Sequence, residues 1–198
     1  MDMAFDALSE VSDEALLVLY ANGDSSGARL LTLRLVPRIL GYAARLLNDR
    51  AEAEDVAQEA MLRLWRVAPD WRQGEAKIST WLYRVTTNLC TDRLRLRMRR
   101  NVVALDAAPD MADVAPGAVA VLIEADRMAA LNAALTSLPD RQREAVVMRH
   151  IEGLSNPEIA DVMDIGIEAV ESLISRGKRA LVANLAKRQE ELGYEKGN

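Results

Sequence analysis

Five side chains between Trp81 and Arg95 have the types and spacing to hold a nucleic-acid strand. Trp81, Arg84, Asn88, Thr91 and Arg95 stand at i, i+3, i+7, i+10 and i+14, which on a helix is one face. An indole gives a base a surface to stack on, guanidinium groups meet phosphates, and an amide reads a base edge. Such stacking contributes about 1–3 kcal/mol per base. The competing reading of Trp81 is a plain core residue. A second set lies further along. Ser155-x-x-Glu158 forms a capping box before a helix that ends near Met163, and Asp164-Ile165-Gly166 turns into a longer helix over about 167–188. A short helix, a tight turn with Gly and a longer helix is the helix-turn-helix pattern, whose second helix enters the major groove. Val170, Leu173, Ile174, Leu181 and Leu185 turn inward, leaving Glu168, Ser172, Ser175, Arg176 and Arg179 outward. Arg donates two hydrogen bonds to guanine and Glu accepts from cytosine. Arg149 and Ser155 stand where phosphate contacts fit. An ordinary helical hairpin with a solvated face is the alternative. Gly177 inside the long helix costs about 1 kcal/mol against Ala and marks close packing.

A third set is carboxylate-rich. Asp55, Gln58 and Glu59 lie off the apolar stripe of their helix, and they serve either solubility or a basic partner protein. No Ser/His/Asp or Cys/His arrangement and no phosphate-cradling Gly loop is present. The single Cys90 and the single His150 give neither an internal disulfide nor a metal site, so no cofactor and no metal is expected, and an enzyme is not the reading.

The elements that must position these sets are helical. Residues 12–21 read as a short helix capped by Ser12. A second helix covers about 25–47, with Pro37 expected to kink or divide it. A third covers about 51–67, with Ala57, Ala60, Met61, Leu64 and Trp65 in one stripe, and Pro69 ends it. The loop 70–77 holds Trp71, Arg72 and Gly74. A fourth helix starts at Ser79 or Thr80 and runs to about Arg99, with Leu82, Val85, Leu89 and Met98 as its core face. Residues 101–125 have two prolines, three Asp, no basic residue and no sustained periodicity, and read as an extended linker. Beyond it, Met128, Leu131, Ala134, Leu135 and Leu138 line one face. Pro139 breaks that helix, and the next, about 140–151, presents Ala145, Val146, Met148 and Ile151. The fold class is all-α, with two small helical domains, 1–100 and 126–198, joined by a flexible linker.

Of the 198 residues, half are apolar and 28% are charged, enough for a core and for solubility. No apolar run approaches the ~20 residues that cross a bilayer, and the acidic N-terminus lacks the basic start of a signal peptide. A cytoplasmic protein without membrane insertion is expected. The net charge of −5 argues against a free nucleic-acid binder, but the first hundred residues are nearly balanced, with 15 Lys and Arg against 14 Asp and Glu. The densest basic run is Arg93–Arg100.

SDEALLVLYANGD, RLLNDRAEAEDVAQEAMLRLW, ISTWLYRVTTNLCTDRLR and, after the linker, LTSLPDRQREAVVMRHIEGLSNPEIADVMDI together resemble the bacterial extracytoplasmic-function sigma factors, group IV of the sigma-70 family, over about 12–187. The resemblance implies a sigma-2 domain that binds the −10 element and the β′ clamp helices of core RNA polymerase. It implies a sigma-4 domain that binds the −35 element and the β flap, and an anti-sigma factor that holds the protein inactive. The family's clamp-binding motif falls on Asp55, Gln58 and Glu59. Its −10 positions fall on the Trp71–Lys77 loop (Trp71, Arg72, Gly74, Lys77) and on Trp81, Arg84, Asn88 and Arg95. Its −35 positions fall on Ser172, Ser175, Arg176 and Lys178, with Arg149 and Ser155 nearby. The chain departs from the family's usual Gly at Asp164, and carries Glu171 and Leu173 where basic residues are frequent. The implied role is a non-covalent initiation factor. The alternative is a stand-alone helix-turn-helix regulator with an N-terminal interaction domain.

Overall fold

The computed structural model describes residues 10–72, 74, 77–103 and 129–191, and among them every regular element is a helix. α1 (Asp13–Ala21) starts on Ser12, whose hydroxyl accepts from the Ala15 amide at 3.3 Å. α2 (Ser25–Leu47) starts on Asp24, which accepts from the Ser26 amide. Of the two outcomes expected at Pro37, a kink or a division, division does not occur: α2 is continuous through it. The carbonyl a proline frees belongs to residue i−4, here Leu33, and Leu33 is 58% exposed, so water can take that bond. Leu35 and Ile39 on the other side are buried and hold the helix together. Asn48 ends α2 in the left-handed region (φ 49°), and Asp49 caps α3 (Arg50–Val67) by accepting from the Glu52 amide at 3.0 Å.

A single 3₁₀ turn, Ala68–Asp70, leads out of α3. α4 (Ile78–Val103) begins earlier than expected, because Ile78 is itself core and its amide donates to Glu14 at 3.4 Å. It also runs three residues into the segment expected as linker. The rest of that segment lies outside the described residues. Met98, expected in the core, is 65% exposed. By this point α4 has passed the turn between α2 and α3, and what faces that turn is Arg97, donating to the Leu47 carbonyl at 2.9 Å and to Asp49 at 2.8 Å.

In the second half, α5 (129–136), α6 (Asp140–His150), α7 (Asn156–Met163) and α8 (Ile167–Glu191) follow the expected order. Both bonds of the Ser155–Glu158 capping box are formed. Gly177 of α8 lies against α6: a Cβ there would sit 2.6 Å from Val146 Cγ2 and 3.3 Å from the Gln142 carbonyl, so close packing explains it. Ile151, expected inward, is partly exposed at the end of α6.

The two halves do not have separate cores. Leu16, Leu17, Leu31, Ala60, Leu64 and Leu82 form one cluster within the first four helices. The other cluster crosses between halves, joining Tyr42, Leu46 and Cys90 of the first half to Leu135, Val147, Met148 and Ile159 of the second. At about 1.5–3 kcal/mol for each large apolar side chain removed from water, this shared cluster is a substantial attraction between the domains.

Candidate nucleic-acid interface

The candidate face on α4 is not open to solvent along its length. Lys77, just before α4, donates to Glu158 Oε1 of α7 at 2.8 Å. Arg84 Nε donates to the Asp161 carbonyl at 3.0 Å, and its Nη2 points to the same oxygen. Thr91 Oγ1 donates to Glu144 Oε1 of α6 at 3.4 Å. Between these contacts α4, α6 and the end of α7 leave a cleft of about 560 Å³, lined by Arg84, Asn88, Thr91 and Arg95 from one side and by Arg141 and Asp164 from the other. Arg84, Asn88 and Arg95 are exposed within it or beside it. Three guanidinium groups, an amide and a hydroxyl face two carboxylates, Asp92 (3.8 Å from Arg95) and Asp164, so the cleft keeps a net positive lining with hydrogen-bonding groups, which suits a polyanion.

Trp81 is half-buried, not a free platform. It meets Trp71 edge to face, ring centroids 5.9 Å apart, and both rings pack on the first-half core. Trp65 is half-buried as well, tilted on Tyr20 at 4.8 Å. The Trp71 Nε1 is buried without a hydrogen-bond partner. Arg72 is exposed, and Gly74 holds a positive φ of 93° that suits glycine. The basic run beyond Thr91 is divided. Arg97 is spent on Asp49 and Glu52, Arg93 lies 3.5 Å from Asp55, and Arg95, Arg99 and Arg100 stay exposed. Sequence spacing read Arg93–Arg100 as one basic surface, whereas α4 distributes it over two sides.

On α3, Asp55 and Gln58 are exposed. Glu59 holds Arg63 at 2.8 Å, and that hydrogen bond lowers its carboxyl pKa. Beside them α2 and α3 enclose an apolar groove of about 350 Å³, lined by Val36, Leu40, Ala57, Met61 and Leu62. The sequence reading missed it. The signal was Leu62, an apolar residue off the stripe and 42% exposed.

On the helix-turn-helix, Ser175, Arg176, Lys178 and Arg179 of α8 are exposed and Ser172 is half-buried. Arg149 donates to the Leu154 carbonyl at 2.9 Å and Ser155 is committed to its cap. Both therefore fix the approach to α7 before they contact anything else. Glu158 completes the cap and holds Lys77. The Lys77 hydrogen bond, then those from Ser155, bring its pKa down to about 2. Lys77 rises in turn for the same reason. Asp164 ends α7 at φ 53°, the left-handed region that explains why a Gly is frequent there.

Residues the sequence reading did not single out are those that join the halves. Tyr83 Oη donates to Glu152 Oε2 at 2.6 Å, and Arg45 Nη1 lies 3.7 Å from Glu152 Oε1. Each is unremarkable in its own helix, so only their proximity across 69 residues for Tyr83 and 107 for Arg45 marks them.

Comparison with known proteins identifies the family and the fold. The model of Sigma-70 region 2 matches residues 31–100 and that of Sigma-70 region 4 matches 128–181. The RNA polymerase sigma-H factor of Pseudomonas aeruginosa is 32% identical over 88% of this chain and 94% of its own length. The ECF RNA polymerase sigma factor SigE of Mycolicibacterium smegmatis is 35% identical over 92% of this chain and 72% of its own. Among solved structures, CnrH in complex with the cytosolic domain of CnrY superposes with a TM-score of 0.65 and 25% identity, covering 88% of this chain and 97% of that one. With both regions matched in order and the two relatives aligned over 94% and 72% of their length, the chain belongs to the extracytoplasmic-function sigma factors of the sigma-70 family, which are transcription initiation factors.

Proposed function

We propose that this chain binds core RNA polymerase, brings it to promoters through separate −10 and −35 contacts, and assists melting without a covalent step of its own. It acts in the cytoplasm, where polymerase and promoters are. The observation that carries the reading is the division of polar surface into three faces on three elements. These are the carboxylate face of α3 beside an apolar groove, the Arg-and-amide face of α4, and the exposed Ser-and-Arg face of α8. Asp55, Gln58 and Glu59 would meet the β′ clamp helices, and the helix-turn-helix half would meet the β flap. Trp71, Arg72, Gly74, Lys77, Trp81, Arg84, Asn88 and Arg95 would hold the melted −10 strand, where a flipped base costs a few kcal/mol to unstack and recovers it in contacts. Ser172, Ser175, Arg176 and Lys178 would read the −35 element, with Arg149 and Ser155 setting the helix that precedes them. An anti-sigma factor is the inhibitor this reading expects. The solved relative CnrH, in complex with the cytosolic domain of CnrY, and the open apolar groove on α2 and α3 support it.

Run-off transcription from a pool of promoters with core polymerase, with and without the purified chain, tests the role. Initiation no greater than that of core alone would remove it. Asn88→Ala, an exposed position, then reduces open-complex formation on the order of tenfold while core binding stays intact. Equal loss of both would make the α4 face a protein interface.

A further inference from the structure

The α4 face proposed to hold a promoter strand is covered by the chain's own second domain. Lys77, Arg84 and Thr91 all take partners on α6 and α7, and Tyr83 takes Glu152 between those helices. A strand cannot reach the cleft between α4 and α6 along its full length while these contacts hold. Below them lies Glu144, 3% exposed in the cluster that both domains share. Its Oε1 accepts one long bond from Thr91, and its Oε2 has no partner. From α2 it faces Tyr42, and from α4 it faces Cys90 and Thr91. On its own helix Arg141 and Arg143 attract it and Asp140 repels it, with Arg143 turned to Asp140. A carboxylate so placed is costly as an anion.

We propose that the contact between α4 and the second domain is a self-covering resting state of the factor, one that takes up a proton at Glu144 on closing and gives it back on opening. The covering rests on the reading of α4 as the strand face; the closure and its proton do not. Burial, opposed by Arg141 and by the Thr91 bond, raises the Glu144 pKa from its ordinary 4.5 to about 7 in the closed form. A group with the higher pKa when closed favours closing most fully below pH 4.5, and that preference fades as pH rises to about 7. Acidification therefore closes the molecule, and mildly alkaline conditions release it.

The chain supplies its own reporter. Cys90 is its single cysteine, 1% exposed in the shared cluster and inert there, its thiol pushed up to about 12 by burial. Its rate of reaction with a maleimide, divided by that of the unfolded chain at the same pH, measures opening. Between pH 5.5 and 8 this ratio rises on the order of tenfold in the wild type. Glu144→Gln, neutral at every pH, flattens it at the slow value. Tyr83→Phe, which removes the bond to Glu152, raises it throughout. Small-angle scattering of the same three proteins reads domain separation without thiol chemistry and follows the same order. A wild-type ratio flat with pH, or a Glu144→Gln profile like the wild type's, overturns the proton linkage. A wild type as extended as Tyr83→Phe at pH 5.5 overturns the closure. Neither needs DNA. If Tyr83→Phe is open by scattering yet binds a −10 single strand no more tightly than the wild type, it is the strand reading that fails, separately from both.

Discussion

The outer face of α3 and the inner face of α4 are both polar, one carboxylate-rich and one rich in Arg, and they are held in opposite ways. On the outer face of α3, Arg50 with Glu54 and Arg63 with Glu59 form exposed pairs four residues apart, and the distant partner of that face is Arg93, 3.5 Å from Asp55 within the same half. Such exposed pairs contribute little to stability and leave the surface ready for a partner. On α4 the pairs are distant. Lys77 with Glu158 and Tyr83 with Glu152 join residues about 70–80 apart, over an apolar cluster. One face is available as folded, and the other must be uncovered. On the roles proposed for the two faces, polymerase binding would precede DNA binding, with a rearrangement between them.

The contrast is broken most severely in the shared cluster. Tyr42 is fully buried, meets Tyr83 edge to face at 5.2 Å and bonds Thr87 at 2.8 Å. Tyr42→Ala should cost about 3–5 kcal/mol and loosen both domains, whereas Leu16→Ala, about 2–5 kcal/mol, should disturb the first alone. Calorimetry of the two variants separates these outcomes, and identical effects on both domains would dissolve the distinction between a private and a shared core. A smaller effect is expected on the outer face. Glu59→Lys loses only the exposed Arg63 pair in folding, but it should weaken core-polymerase binding on the order of tenfold, about 1.4 kcal/mol. Unchanged affinity in a binding titration would show that the acidic face serves solubility.

Ser155→Ala removes a helix cap and should cost about 1 kcal/mol in thermal or denaturant unfolding. Because Glu158 titrates near 2 in the folded chain, its contribution is fully present above its ordinary 4.5 and fades as pH falls toward 2. The Ser155→Ala protein should lose part of that acid dependence. Smallest is Asp164→Gly. It relieves a left-handed residue and should add about 0.5–1 kcal/mol to stability, with the helix-turn-helix otherwise unchanged. A loss instead would mean that the Asp side chain holds the turn.

The local parts were legible in the sequence because their causes are local. Ser12 and Ser155 cap the helices they precede, Pro69 ends α3, and Gly177 marks where α8 touches α6. Helical phase also set Asp55 and Gln58 outward and Ala60 and Leu64 inward. Phase failed where the neighbour mattered more than the helix. Met98 has an inward period yet is 65% exposed, and Trp81 has a polar period but Trp71 against it. Arg97 belongs to a basic run in sequence and to Asp49 in space.

By itself, then, the chain's pattern of caps, stripes and turns determined its helices, their order and the family they form. That information is written within one or two turns of each residue. Only the tertiary structure decided that the α4 face lies under the second domain and that Glu144 is buried without a full set of partners. Those facts depend on contacts between residues 50 to 80 apart, for which no local period exists. The charge of a side chain is fixed by its type, but whether that charge faces water, a partner or a core is settled by what packs over it.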